Sequence, residues 1–151
     1  MNRFTFICLL MVITGSASAQ IENPVRWNYS AKKVSDKTYE VYITANLDGN
    51  WHIYAQDAGD GPEPTTINFG KNPLVKLDGK VKEVGKLEKE YDPNFKSELK
   101  FYNSTVSFIQ KVKIKLRVAT VISGTVSYMV CNNRKCLPPK EVPFSIQLDS
   151  K

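Results

Sequence analysis

Apolar and polar residues alternate along several stretches of this chain. The longest stretch runs from Val106 to Val118, where the apolar side chains share one face and a row of basic side chains shares the other. A period of two is typical of a β-strand with one buried face and one solvated face. Further alternating stretches, which predict further strands, lie at residues 25–29, 39–47, 126–130 and 142–148.

Shorter apolar segments add strand candidates at residues 51–56, 65–69 and 74–84, the last of them in two pieces. No window shows the sustained 3.6-residue apolar period of an amphipathic helix. About seven to nine short strands separated by turn signals predict an all-β chain that folds as an antiparallel sandwich. Residues 57–64 and 86–99 are predicted to be loops, and the second contains two aromatic residues, Tyr91 and Phe95.

The first 19 residues have the pattern of a secretory signal peptide. Arg3 precedes a short apolar core at residues 4–13, and Ala17-Ser18-Ala19 provides the small residues that a signal peptidase reads. The competing interpretation is a membrane anchor, but this core is far shorter than the roughly 20 residues that span a bilayer. We therefore predict an exported chain with a single domain over residues 20–151.

The 151-residue chain carries a net charge of +6 at pH 7. Its basic residues are spread along the predicted strands, which is typical of a solvated surface. Export and the lack of a clustered basic patch argue against nucleic-acid binding. After the leader, no apolar run is long enough to cross a bilayer, so we expect no direct membrane insertion.

Removal of the leader also removes Cys8 and leaves two cysteines, Cys131 and Cys136, that can pair in an oxidising compartment. Four residues separate them in a predicted connection between strands, and Asn132-Asn133 is a favourable turn pair. One interpretation is a structural disulfide, although so short a loop would stabilise the fold by only about 2 kcal/mol. The other is thiol–disulfide exchange, which needs an attacking thiolate and a second thiol to resolve the mixed disulfide.

The neighbours of the pair leave both interpretations open. Arg134 and Lys135 would favour the thiolate of Cys136, which is the form that attacks a disulfide.

A zinc site would need about four ligands, and beyond the cysteine pair the exported chain has one histidine, His52, so we expect no metal. His52 itself is interpreted as a surface residue or as a strand residue whose hydrogen-bonding groups have partners.

Both flanks of the cysteine pair match a family pattern. Tyr128-Met129-Val130-Cys131 is a Tyr-x-x-Cys strand end, and Cys136-Leu137-Pro138-Pro139 is a Cys-x-Pro-Pro segment. Residues 48–54 and 97–99 also fit that pattern. The chain therefore resembles the N-terminal periplasmic domain of the transmembrane thiol reductase DsbD. The gap between the cysteines is one residue shorter here than in the best-known member of that family.

The resemblance implies an immunoglobulin-like β-sandwich in the periplasm that relays reducing equivalents from a thioredoxin-like donor to oxidised partner proteins. Those partners would include disulfide isomerases and the thioredoxins of cytochrome c biogenesis, and a membrane thiol reductase is a candidate donor. The domain would act as a component of a protein-disulfide reductase, with a redox-active disulfide and no cofactor. We expect it to stand alone, without the membrane channel and C-terminal thioredoxin domain of DsbD.

The resemblance also implies roles for single residues. Cys136 would form the mixed disulfide with the partner, and Cys131 would resolve it. In the family a cap loop lays an aromatic ring over the disulfide, and Phe95 is the first candidate for that ring, ahead of Tyr91. The further residues expected to line the site are Tyr54 and Tyr128. The alternative function is a secreted immunoglobulin-like binding module whose disulfide is only structural.

Overall fold

The computed structural model describes residues 22–93 and 95–149, and within these ranges it contains nine β-strands and no helix. The predicted signal peptide, residues 1–19, lies outside the described residues and stays a prediction. In the described part of the chain there is no helix that could cross a membrane. The strands are β1 Val25–Ser35, β2 Thr38–Leu47, β3 His52–Tyr54, β4 Thr66–Phe69, β5 Val75–Asp92, β6 Ser97–Ile114, β7 Thr120–Tyr128, β8 Val130–Cys131 and β9 Lys140–Leu148.

The strands form two sheets, and every pairing between them is antiparallel. The larger sheet has the order β1-β2-β6-β3-β8. β2 and β3 pair with different parts of one edge of β6, and β5 pairs with the opposite edge. The smaller sheet has the order β4-β7-β9. This arrangement confirms the predicted all-β antiparallel fold, and it makes β6 the strand that organises the larger sheet.

The core lies between the two sheets and is built from the inward face of each strand. The larger sheet contributes fully buried side chains such as Ile43 and Phe108, and the smaller sheet contributes Ile122 and Leu148. Alternation along the strands explains this division, because successive side chains point to opposite faces of a sheet.

One inward position of β6 is polar. Gln110 is 2% exposed, and its Nε2 donates hydrogen bonds to the backbone carbonyls of Asp78, Gly79 and Lys111. The pairing of β5 with β6 is irregular at this point, since it skips from Asp78 to Lys82. The glutamine amide thus satisfies carbonyl groups that a regular ladder would otherwise pair.

The expectation that the long alternating strand continues to Val118 is wrong. β6 ends at Ile114, and Leu116 and Val118 are 56% and 45% exposed. The two neighbouring strands that pair with β6 reach no further than this point, where Lys113 faces Thr38 and Ile114 faces Val75. Without a partner strand on either side, the alternating residues beyond Ile114 have no sheet to join.

The prediction of a loop over residues 86–99 is also wrong. The end of β5 and the start of β6 pair there as a hairpin, and Tyr91 faces Glu98 across the ladder. The charged side chains that suggested a loop lie on its surface, where Lys86 and Glu88 form an ion pair of 2.6 Å. The two strand pieces predicted before residue 85 are one continuous strand with two irregular points.

We predict that Ile114→Ala and Leu116→Ala will affect stability very differently, although the alternating pattern placed both residues on one buried face. Ile114 is buried and Leu116 is exposed. Truncation should therefore lower the free energy of unfolding by about 2–5 kcal/mol at Ile114 and by no more than about 0.5 kcal/mol at Leu116. Urea unfolding measures both values, and equal losses would contradict the observed end of β6.

Candidate functional site

A change of sheet places Cys131 at the site. β7 pairs with β4 and β9 in the smaller sheet, but after Met129 the chain continues as β8 and pairs with β3 in the larger one. In that register Cys131 faces His52, and Val130 faces Ile53. The alternating run that predicted a single strand through Val130 is therefore divided between the two sheets.

The two cysteines form a disulfide, and their Cα atoms are 4.0 Å apart. Backbone hydrogen bonds of 2.9 Å also close the loop, from the Asn132 amide to the Lys135 carbonyl and from the Leu137 amide to the Val130 carbonyl. The Asn132 side chain accepts two more, from the amides of Arg134 and Lys135, each at 2.9 Å. The shape of the loop thus has support besides the disulfide.

The two ends of the disulfide have different surroundings. Cys131 is 2% exposed and belongs to a small apolar cluster with Tyr54, Leu99 and Phe101. Cys136 is exposed. Both line a cleft of about 710 Å³, which lies between the cysteine loop and the hairpin of β5 and β6. A protein that docks at this cleft would meet Cys136 before Cys131.

Tyr54 and His52 connect the buried sulfur to the cleft. The buried Tyr54 hydroxyl donates a hydrogen bond of 3.2 Å to Cys131 Sγ, and His52 Nε2 lies 3.4 Å from the same hydroxyl. Burial raises the pKa of Tyr54 and lowers the pKa of His52, against a smaller opposing effect of Glu90 on the histidine. The hydroxyl therefore stays protonated near neutral pH, and burial favours the neutral imidazole.

His52 was expected to be a surface residue or a satisfied strand residue, yet its ring lies inside the site. It packs against Tyr54 and against Phe101, with ring centroids 5.3 Å and 4.5 Å apart. The signal that could have identified it is its separation of two from Tyr54, which puts both side chains on one face of a strand.

The two candidate cap residues lie on the hairpin that borders the cleft. Phe95 is 39% exposed and Tyr91 is 63% exposed, and both line the cleft. Phe95 packs directly on Gly61, where an added Cβ would lie 2.1 Å from the Phe95 Cδ1 atom. Gly61 has a φ of 133°, a backbone conformation that glycine adopts without strain. The loop of residues 57–64 is irregular as predicted. The ring of Phe95 packs against it at Gly61, where there is no side chain.

The remaining predicted residues are divided between the cleft and the core. Arg134 and Lys135 are exposed and line the cleft, and the Lys135 ammonium group forms an ion pair with Glu22. Tyr128 lies elsewhere, because it is buried against Trp27 and borders a separate apolar cavity of about 440 Å³. Within the described ranges, no three His, Cys, Asp or Glu side chains are grouped so that they could hold a metal.

The sequence of residues 19–147 matches the family described as thiol:disulfide interchange protein DsbD, N-terminal. The chain belongs to this family. The resemblance inferred from the flanks of the cysteine pair is thereby confirmed over most of the sequence. No curated protein sequence gives a significant match.

Solved structures agree with this assignment at the level of the fold. The N-terminal domain of DsbD from Neisseria meningitidis, in its reduced form, is 15% identical with a TM-score of 0.54, over 83% of this chain and 86% of that one. The N-terminal periplasmic domain of ScsB from Proteus mirabilis is 17% identical with a TM-score of 0.53. That match covers 83% of this chain and 45% of the ScsB chain. The implied immunoglobulin-like sandwich is therefore confirmed.

We predict that Asn132→Ala will loosen the cysteine loop. The change removes the acceptor for the Arg134 and Lys135 amides, so both should exchange with deuterium faster, and the oxidised domain should lose about 1 kcal/mol of stability. Hydrogen-exchange NMR measures the two amides directly. Asn132→Asp keeps an acceptor and should preserve most of their protection, whereas an equal effect from Asn133→Ala would contradict the assigned role.

Proposed function

We propose that this domain exchanges disulfides with thioredoxin-like proteins in the periplasm and uses Cys131 and Cys136 as its redox pair. The observation that carries the proposal is the difference between the two cysteines: Cys136 is exposed at the cleft and Cys131 is buried beneath it. A partner sulfur that enters the cleft reaches Cys136, so Cys136 forms the mixed disulfide and Cys131 resolves it.

Each exchange then has two steps. When a reduced donor attacks, its thiolate bonds to Cys136 Sγ, the Cys131–Cys136 bond breaks, and its electron pair goes to Cys131 Sγ. A second thiolate of the donor then attacks the donor sulfur that is bonded to Cys136, and Cys136 leaves as a thiolate. The donor departs with its own new disulfide, and both cysteines of this domain are left reduced. With an oxidised acceptor the same steps run in reverse, and two electrons leave the domain.

The contacts of the loop support exchange over the alternative, a binding module with a structural disulfide. Four backbone amides of the loop already have intramolecular acceptors: those of Asn132, Arg134, Lys135 and Leu137. A disulfide that closes so short a loop would add only about 2 kcal/mol. Because the loop has other support, the bond can open and close during exchange without loss of the fold.

Membership of the DsbD N-terminal family supports the wider role. We propose that a thioredoxin-like domain, carried by a membrane thiol reductase, supplies electrons to this domain. Oxidised disulfide isomerases and the thioredoxins of cytochrome c biogenesis would accept them. The domain would thus be one component of a protein-disulfide reductase system, with its disulfide as the redox group and no further cofactor.

The position of the β5–β6 hairpin is consistent with a role as a cap over the disulfide. Phe95 borders the same cleft as the disulfide and rests on Gly61, so a shift of the hairpin tip would change access to Cys136. We propose that Phe95, rather than the more exposed Tyr91, limits the reaction of the reduced pair with small oxidants. Tyr54 lies beneath the disulfide and contributes to the site through its hydrogen bond to Cys131.

Replacement of single cysteines tests the proposed division of roles. The reduced Cys131→Ala variant is mixed with a thioredoxin-like protein whose own resolving cysteine is replaced and whose remaining cysteine is activated as a mixed disulfide with thionitrobenzoate. It should form an adduct through Cys136 that persists, because neither protein then has a thiol that can resolve it. Cys136→Ala leaves only a buried thiol and should form at least about tenfold less adduct. Non-reducing electrophoresis and intact mass spectrometry quantify both, with dithiothreitol reversal as the control. Equal adduct from both variants, or none from either, would refute the assignment.

A further inference from the structure

Exchange at a buried sulfur requires a way to move a proton. Cys131 is almost completely buried, and burial in apolar surroundings disfavours a thiolate. Each time Cys131 attacks it must therefore lose a proton, and each time it leaves it must gain one. The apolar side chains around it, such as Leu99 and Phe101, can do neither.

One hydroxyl and one imidazole form a continuous path from this sulfur to the cleft. The Tyr54 hydroxyl lies 3.2 Å from Cys131 Sγ, and His52 Nε2 lies 3.4 Å from the hydroxyl oxygen. Tyr54 is buried, whereas His52 is half-buried and lines the cleft. The pairing of β3 with β8 fixes this arrangement, since it sets His52 opposite Cys131.

We infer that Tyr54 and His52 form a proton relay for Cys131, in which His52 receives the proton when Cys131 attacks the mixed disulfide. This inference rests on the proposed exchange function. Tyr54 contacts the reacting sulfur, and His52 acts through Tyr54. The cleft then gives the imidazole access to water, so that it can release the proton before the next cycle.

Protons and electron pairs are conserved in the resolving step. The Cys131 thiol transfers its proton to the Tyr54 oxygen, while the Tyr54 hydroxyl transfers its own proton to Nε2 of a neutral His52. Cys131 Sγ attacks Cys136 Sγ, and the bond between Cys136 and the partner sulfur breaks. The partner leaves as a thiolate with the electron pair, the internal disulfide is formed, and His52 is left as an imidazolium ion.

The charges around the relay suit a base at His52. Desolvation by burial lowers the pKa of His52, and the Glu90 carboxylate on β5 opposes this effect without cancelling it. The pKa of Tyr54 is raised by burial and by Asp92, so the tyrosine remains a proton carrier instead of becoming an anion. The other charged side chains of the cleft are Glu88, Lys89, Arg134 and Lys135.

Reaction of the reduced protein with 5,5′-dithiobis(2-nitrobenzoate) measures the attack by Cys136 and the attack by Cys131 as two kinetic phases, and the relay should affect only the second. Attack by Cys136 releases a first thionitrobenzoate, and attack by Cys131 on the resulting mixed disulfide releases the second. In His52→Gln, which keeps a polar side chain but has no titratable base, and in Tyr54→Phe, the first phase should stay within about twofold. The second phase should slow by about tenfold or more.

The pH profile of the second phase provides a readout that lost packing would not change. In the unmodified protein its rate should rise as His52 loses its proton, with an inflection below the ordinary pKa of histidine, and His52→Gln should lack this inflection. Asn50→Ala, at an exposed residue that also lines the cleft, should change neither phase.

Two outcomes would overturn the inference. An unchanged second phase in folded His52→Gln and Tyr54→Phe, or an inflection that persists without His52, would refute the relay and leave the exchange function intact. An unmodified protein that shows no second phase would instead refute resolution by Cys131, and the proposed function would fail together with the relay.

Discussion

The pairing of β8 with β3 is the constraint on which the site depends. The chain crosses from the smaller sheet to the larger one at Met129, and two residue pairs then fix its position. This short ladder buries Cys131 against Tyr54 and aligns it with His52, while the following turn brings Cys136 back to the surface. A disulfide with one protected end and one accessible end is the direct result, and both exchange and the relay rely on it.

Period-two patterning predicted the parts of the fold in which local alternation agrees with burial. β1, β2 and β9 were found near their expected positions, because each buries one regular face. β7 was not, since it begins at Thr120 and ends at Tyr128, and Val130 belongs to another strand. The pattern failed where distant strands decide the outcome. Leu116 alternates correctly but has no neighbouring strand, and the charged stretch after Gly85 forms a strand because β6 pairs along it.

The same distinction applies to the site. The residues flanking the cysteines carry a motif, so the pair and its family were recognisable from the sequence. The spacing of His52 and Tyr54 could have placed both on one face of a strand, but not opposite Cys131. That position depends on the register between β3 and β8, two short strands that are far apart in the sequence. Tyr128 shows the converse, because it belongs to the motif yet packs into the core against Trp27.

The reduction potential of the Cys131–Cys136 pair decides whether the pair is redox-active. The domain is equilibrated in glutathione buffers of graded ratio, free thiols are trapped by alkylation, and the oxidised fraction is read by mass spectrometry. A reversible transition at a potential above about −300 mV is the predicted result, since structural disulfides lie below that value. A pair that stays oxidised throughout the range, with a potential below about −300 mV, would show that the disulfide is structural and that the domain does not exchange disulfides.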